Sequence, residues 1–171
     1  ITDESFKKLV VDYQSRIRSI ALVQKVLHDS ENYTSINMKT YIDLLLPHYI
    51  YSIQKKSVDI AYEISIHDVF LSLEQAVPCG LILNEAISNS INHAFKNGKN
   101  AVITISMTKE NENCLVIADN GEGLPASVDI TNIETLGLQL IHSLVKQLSG
   151  TIDIQTDNGT AFIIRFPIVE K

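Results

Sequence analysis

Cysteine is scarce. The 171 residues hold two, Cys79 and Cys114, standing 35 positions apart. That spacing excludes a disulfide framework and a CxxC metal or redox pair, and a reducing compartment is the expectation. No run of 18 or more apolar residues occurs, so no membrane span or membrane contact is expected from this stretch. A secretory signal pattern and an initiator Met are both missing; with Ile1 first, the chain reads as part of a longer protein. Positive charge is thin: 14 Lys and Arg stand against 20 Asp and Glu, a net charge of −6. The deficit lies after residue 60, where six basic residues meet thirteen acidic ones. With no basic stripe, nucleic acid is excluded as a partner, because its binding rests on neutralising phosphates. A smaller phosphate ligand is not excluded, since backbone N–H groups and a metal can hold phosphates without Lys or Arg. Glycine is also rare, but five of the seven (Gly121, Gly123, Gly137, Gly150, Gly159) fall within 39 residues. What is abundant is apolar side chain, 45%, enough for a real core.

The pattern along the chain changes once. Residues 3–27 read as a helix through Leu9, Val10, Tyr13, Ile17, Ile20 and Leu27, with Asp3 as its cap. Asn37 caps a second expected helix, which carries Pro47. Residues 1–57 are therefore a helical segment. From residue 58 the texture is mixed. A strand is expected over 60–66 and a short apolar stretch over 69–73, followed by a strong helix opening at Pro78. Two strands over 101–107 and 114–118, a polar connection over 119–135, a helix over 136–148 and a closing hairpin complete it. The fold class is α+β, a two-layer sandwich with helices on one face of a mainly antiparallel sheet, preceded by the helical segment.

Four local patterns carry chemistry. Glu85, Asn89, Asn92 and His93 fall at i, i+4, i+7 and i+8 of the strong helix, while Leu81, Ile82, Ala86, Ile87, Ser90 and Ile91 form its apolar side. Asn offers a neutral oxygen to Mg²⁺, and Glu can take or orient a proton; a solvated helix face is the plain alternative. Asp119-Asn120-Gly121-Glu122-Gly123-Leu124 follows an apolar strand directly. Its Asp can accept from an exocyclic amine and its glycines let a flat ring approach, although Asp-Asn-Gly is also a common turn. Leu136-Gly137-Leu138 opens a helix whose free N–H groups suit a phosphate. Gly159-Thr160 lies in the last hairpin, where glycine serves the turn.

In this order the four patterns resemble the ATP-binding domain of sensor histidine kinases, the Bergerat fold shared with gyrase, Hsp90 and MutL. The resemblance covers residues 61–171. It implies Glu85 as the catalytic residue and Asn89 as the Mg²⁺ ligand. It implies Asp119 on the adenine amino group, and Gly121, Gly123 and Leu124 lining the base pocket. Asn92, His93, Leu136, Gly137, Leu138 and Thr160 complete the implied ATP site. The segment from Asp12 to Val23, with Leu27 to Glu31, is similar to the second dimerisation helix of HWE-like histidine kinases. Pro78 to Glu85 and Asn92 to Phe95 match the same branch.

There are departures. Asn92 stands where that branch has Lys, and the second glycine box has one Gly. The branch places its phosphorylated His on a first helix. Here the earliest His is His28, so the acceptor is expected upstream of Ile1. What the resemblance implies is a cytoplasmic kinase core that forms homodimers through its N-terminal helices. It would be driven by an upstream sensor domain and pass phosphate to a response regulator. The rivals are a Ser/Thr kinase of the anti-sigma-factor kind, a non-catalytic module, and a gyrase-like ATPase. His48, His67 and His142 are expected to be structural or on the surface.

Overall fold

The computed structural model describes residues 3–30, 34–53, 60–95, 100–123 and 135–169. Helix α1 (Asp3–Asp29) runs longer than its apolar pattern predicts, and Asp3 is its first residue rather than its cap. Its inward side is narrow: Ser19, Val23 and Val26 are buried. Strand β1 (Ile36–Asn37) leads into α2 (Met38–Ile53), and the Asn37 side chain accepts the Thr40 N–H at 3.0 Å, capping the helix as expected. The exposed Pro47 is accommodated inside α2.

Strand β2 (Ile60–Ile66) precedes β3 (Phe70–Leu71), which pairs antiparallel with β1, Ile36 opposite Leu71. This two-residue ladder is too short to mark the sequence with an alternating pattern. Helix α3 (Leu73–Asn89) begins earlier than expected. Pro78 is inside it, and the Ser72 carbonyl accepts the Gln75 and Ala76 N–H groups at 3.1 and 2.8 Å. Proline costs α3 one bond to the Glu74 carbonyl, and Glu74 is exposed, so water can take its place. A π-helical turn (Ser90–Ala94) ends the element.

The main sheet holds β2, β4 (Ala101–Lys109), β5 (Asn113–Asp119), β7 (Ala161–Phe166) and β6 (Thr151–Gln155), in that order. Among the described strands the β2–β4 pairing is parallel and the other three are antiparallel. Alternate residues of the central strands are buried: Ile103 and Ile105, Leu115 and Ile117, Phe162 and Ile164. They meet Ile82, Leu83 and Ile87 of α3 and Leu138, Ile141 and Val145 of α4 (Leu136–Gln147) in one core. Each such side chain contributes about 1.5–3 kcal/mol by leaving water. This is the expected α+β sandwich.

The helical segment joins the same core through Val23, Tyr41, Ile42 and Leu45. Gly80 makes that fit possible, because a Cβ there would overlap the Tyr41 hydroxyl. The expected division at 57/58 lies outside the described residues, as does most of the connection over 119–135. Among the described residues no helix is long and apolar enough to cross a membrane.

Candidate functional site

Helix α3 is polar where it matters most. Glu85 is 7% exposed although it carries a carboxylate, a cost that needs a partner. The partner comes from α1. Arg16 Nε donates to Glu85 Oε1 at 2.8 Å and Nη2 to Oε2 at 3.0 Å, a bidentate fork. The carboxylate hydrogen bond is the main cause that raises the Arg16 pKa further above its already high ordinary value. Asn84 supports the pair, donating to Glu85 Oε1 at 3.1 Å and accepting the Ser15 hydroxyl at 2.6 Å.

Beside this fork lies a cavity of about 140 Å³. Glu85, Ser88, Asn89, Asn92 and His93 form one wall, Leu136 and Gly137 a second, Asp12, Ser15 and Arg16 a third. The π turn is wider than an α turn and changes the spacing of Asn92 and His93, yet both still border the cavity. A Cβ on Gly137 would stand 3.0 Å from Glu85 Oε2 and 3.8 Å from the Asn89 amide atoms. Glycine therefore keeps the gap between α4 and these oxygens open. Thr135 precedes α4 without a side-chain cap, which leaves first-turn N–H groups for a ligand.

Asp119 closes β5 and is almost fully buried. Its Oδ1 accepts the Gly121 N–H at 3.0 Å and the Thr160 N–H at 3.2 Å; its Oδ2 accepts the Ser90 hydroxyl at 2.7 Å. A carboxylate has about four acceptor positions, so one remains on Oδ2 among the described residues. Ser90 thus links the α3 wall to Asp119, although its place in the sequence belongs to the apolar side.

The glycines around Asp119 serve close packing. A Cβ on Gly121 would lie 2.5 Å from both Ala94 Cβ and Ala94 O. Gly123 has φ +75° and Gly159 φ +94°, both in the region that favours glycine.

The structure therefore divides the expected site residues into two linked groups. Glu85, Asn89, Asn92, His93, Leu136 and Gly137 share the cavity; Asp119, Gly121, Gly123 and Thr160 gather at the end of β5. Leu138 instead sits in the core, and Leu124 lies outside the described residues. Arg16, Ser15 and Ser90 were not singled out as site residues by sequence. Among the described residues no cluster of three His, Cys, Asp or Glu is placed to hold a metal. His28 and His67 are exposed, while the His142 Nε2 is buried without a hydrogen-bond partner and burial lowers that ring's pKa.

The fold has close relatives among solved structures. The histidine kinase domain of the Erythrobacter litoralis EL346 blue-light activated histidine kinase superposes with a TM-score of 0.76 at 20% identity, covering 91% of this chain and 74% of that one. Acinetobacter baumannii histidine kinase AdeS superposes with a TM-score of 0.65 at 18% identity, over 99% of this chain and 87% of that one. Residues 74–170 match the family described as histidine kinase-, DNA gyrase B- and HSP90-like ATPases, and the chain belongs to it. Residues 1–53 match a second family described as histidine kinase, in line with the expectation for the helical segment. Sensor histidine kinase PdtaS of Mycolicibacterium smegmatis is 26% identical over 98% of this chain and 34% of its own length. PdtaS of Mycobacterium tuberculosis is 27% identical over 95% of this chain and 33% of its own length. The chain thus spans about a third of the length of these curated relatives.

Proposed function

We propose that this chain is the ATP-binding catalytic core of a two-component sensor histidine kinase, with residues 1–57 the end of its dimerisation hairpin and 58–171 its catalytic domain. The supporting observation is the cavity where Glu85, Asn89 and His93 of one element converge with Gly137 of another. The residues fit a nucleotide. Asp119 keeps one acceptor position for the adenine amine, and the first-turn N–H groups of α4 suit phosphate oxygens. Asn89 presents a neutral amide oxygen suited to Mg²⁺. When bound, Mg²⁺ supplies charge neutralisation at the phosphates.

Glu85 can take or orient the proton of an acceptor imidazole. That acceptor belongs on a preceding helix, and the phosphoryl group passes next to an Asp of a response regulator. A cytoplasmic location and control by a sensor domain accompany this function. The match of residues 1–53 to a histidine kinase family weighs against the Ser/Thr kinase rival.

The test is label transfer in the full-length protein. With γ-labelled ATP it should acquire acid-labile, base-stable phosphate, and Asn89→Ala should reduce the rate about 100-fold. Acid-stable label, or none, overturns the histidine kinase reading.

The outer side of α1 supports a homodimer through this helix. Phe6, Tyr13, Ile17 and Ile20 are all exposed, with Ile17 at 66%. Their steps of seven, four and three residues place them on one helical seam. Ile17→Glu should convert a dimer into a monomer in sedimentation equilibrium. An unchanged mass removes α1 from the interface.

A further inference from the structure

Arg16 borders the cavity as well as pairing with Glu85. Among the described residues it is the only Lys or Arg lining the cavity, which also holds the carboxylates of Asp12 and Glu85 and the imidazole of His93. A triphosphate entering this space meets two carboxylates, so a cation there decides whether anion binding is favourable. The wall position occupied by Asn92 supplies none.

The geometry also leaves Arg16 able to change partners. Its fork on Glu85 uses Nε and Nη2 and leaves Nη1 outside the pair. The guanidinium lies over the Tyr13 ring, 5.5 Å from its centroid, which supports the planar group from α1. A phosphate accepts the same fork that a carboxylate does.

We propose that Arg16 is a phosphate-directed cation of the nucleotide site, supplied by α1, that exchanges Glu85 for the terminal phosphate of the nucleoside triphosphate. The exchange frees the Glu85 carboxylate at the moment the phosphate is in place. No bond to phosphorus forms or breaks in this step; only hydrogen bonds are exchanged. The proposal rests on the ATP-binding reading above.

Isothermal titration of this chain with ATP and with ADP, each with Mg²⁺, tests it without any turnover. Arg16→Ala should weaken ATP binding about tenfold or more while ADP changes less than about twofold. Glu85→Gln should act in the opposite direction, tightening ATP by a few-fold, because the carboxylate no longer competes for the guanidinium. The gain should vanish in the double variant. A purely structural Arg16 predicts no such gain. If Arg16→Ala does not fold, Arg16→Lys, which keeps the charge and loses the fork, is expected to lose part of the ATP preference. Equal effects on ATP and ADP, or no gain from Glu85→Gln, overturn the role of Arg16 alone. A wild-type chain that binds neither nucleotide overturns the ATP reading and this proposal with it.

Discussion

Asp119→Asn should leave the protein folded and remove its affinity for adenine nucleotides, with ATP binding weakened at least about 100-fold. The reason is the difference between the two oxygens of the carboxylate. Oδ1 accepts two backbone N–H groups, from Gly121 and Thr160. An Asn can keep its carbonyl there. Its amide then takes the place of Oδ2, opposite the Ser90 hydroxyl. That hydroxyl also lies 3.1 Å from the Ala86 carbonyl, so it can turn, donate to Ala86 and accept from the new amide. The groups bonded to Asp119 in the parent all keep a partner, and the stability cost stays near 1 kcal/mol. The ligand has no such escape. The free acceptor position becomes a donor, and an adenine amine would face an N–H. Titration with ATP beside a thermal melt separates the two effects. Undiminished affinity in a folded variant removes Asp119 from adenine recognition. Asp119→Ala would not separate them, because it also strands two backbone donors.

How much of this was legible in the sequence differs from residue to residue. Glu85 and Asn89 could be read because four residues is one helical turn, so spacing maps directly onto a face. Asp119 could be read because it ends a continuous apolar run, Cys114 to Ala118. Arg16 could not. It meets Glu85 across 69 positions, and one Arg on a helix resembles any solvated charge. Ser90 was hidden differently. A small hydroxyl fits an apolar stripe, and only the tertiary fold shows that it faces a carboxylate. The parallel pairing of β2 with β4 and the small β1–β3 ladder are long-range events that leave no local period. Pro78 misled because proline favours a first helical turn but does not require it. Glu74, whose carbonyl loses the bond, is an exposed residue, which makes the interior position tolerable.

Gly159→Ala should be the most damaging single change, costing about 3–5 kcal/mol and lowering the melting temperature by roughly 10 °C. A turn glycine in an exposed hairpin would cost far less, and that is how its sequence context reads. The structure gives it a different task. Its φ is +94°, where an L side chain is strained. A Cβ would also overlap the Asp119 carbonyl oxygen and approach the Asn120 Cα at 3.0 Å. Both obstacles are backbone, so no rotamer relieves them. Separation of the strands here breaks the Asp119 N–H bond to the Thr160 carbonyl at 2.9 Å. It also pulls the Thr160 N–H away from Oδ1. The same displacement that unzips the end of β5 therefore misplaces the carboxylate that would hold adenine. Gly123→Ala is the comparison, since its nearest backbone neighbours are at 3.0 and 3.2 Å and can yield slightly. Thermal melts of both variants check the order. If Gly159→Ala melts within about 2 °C of the parent, the close approach to Asp119 is not what this glycine is for.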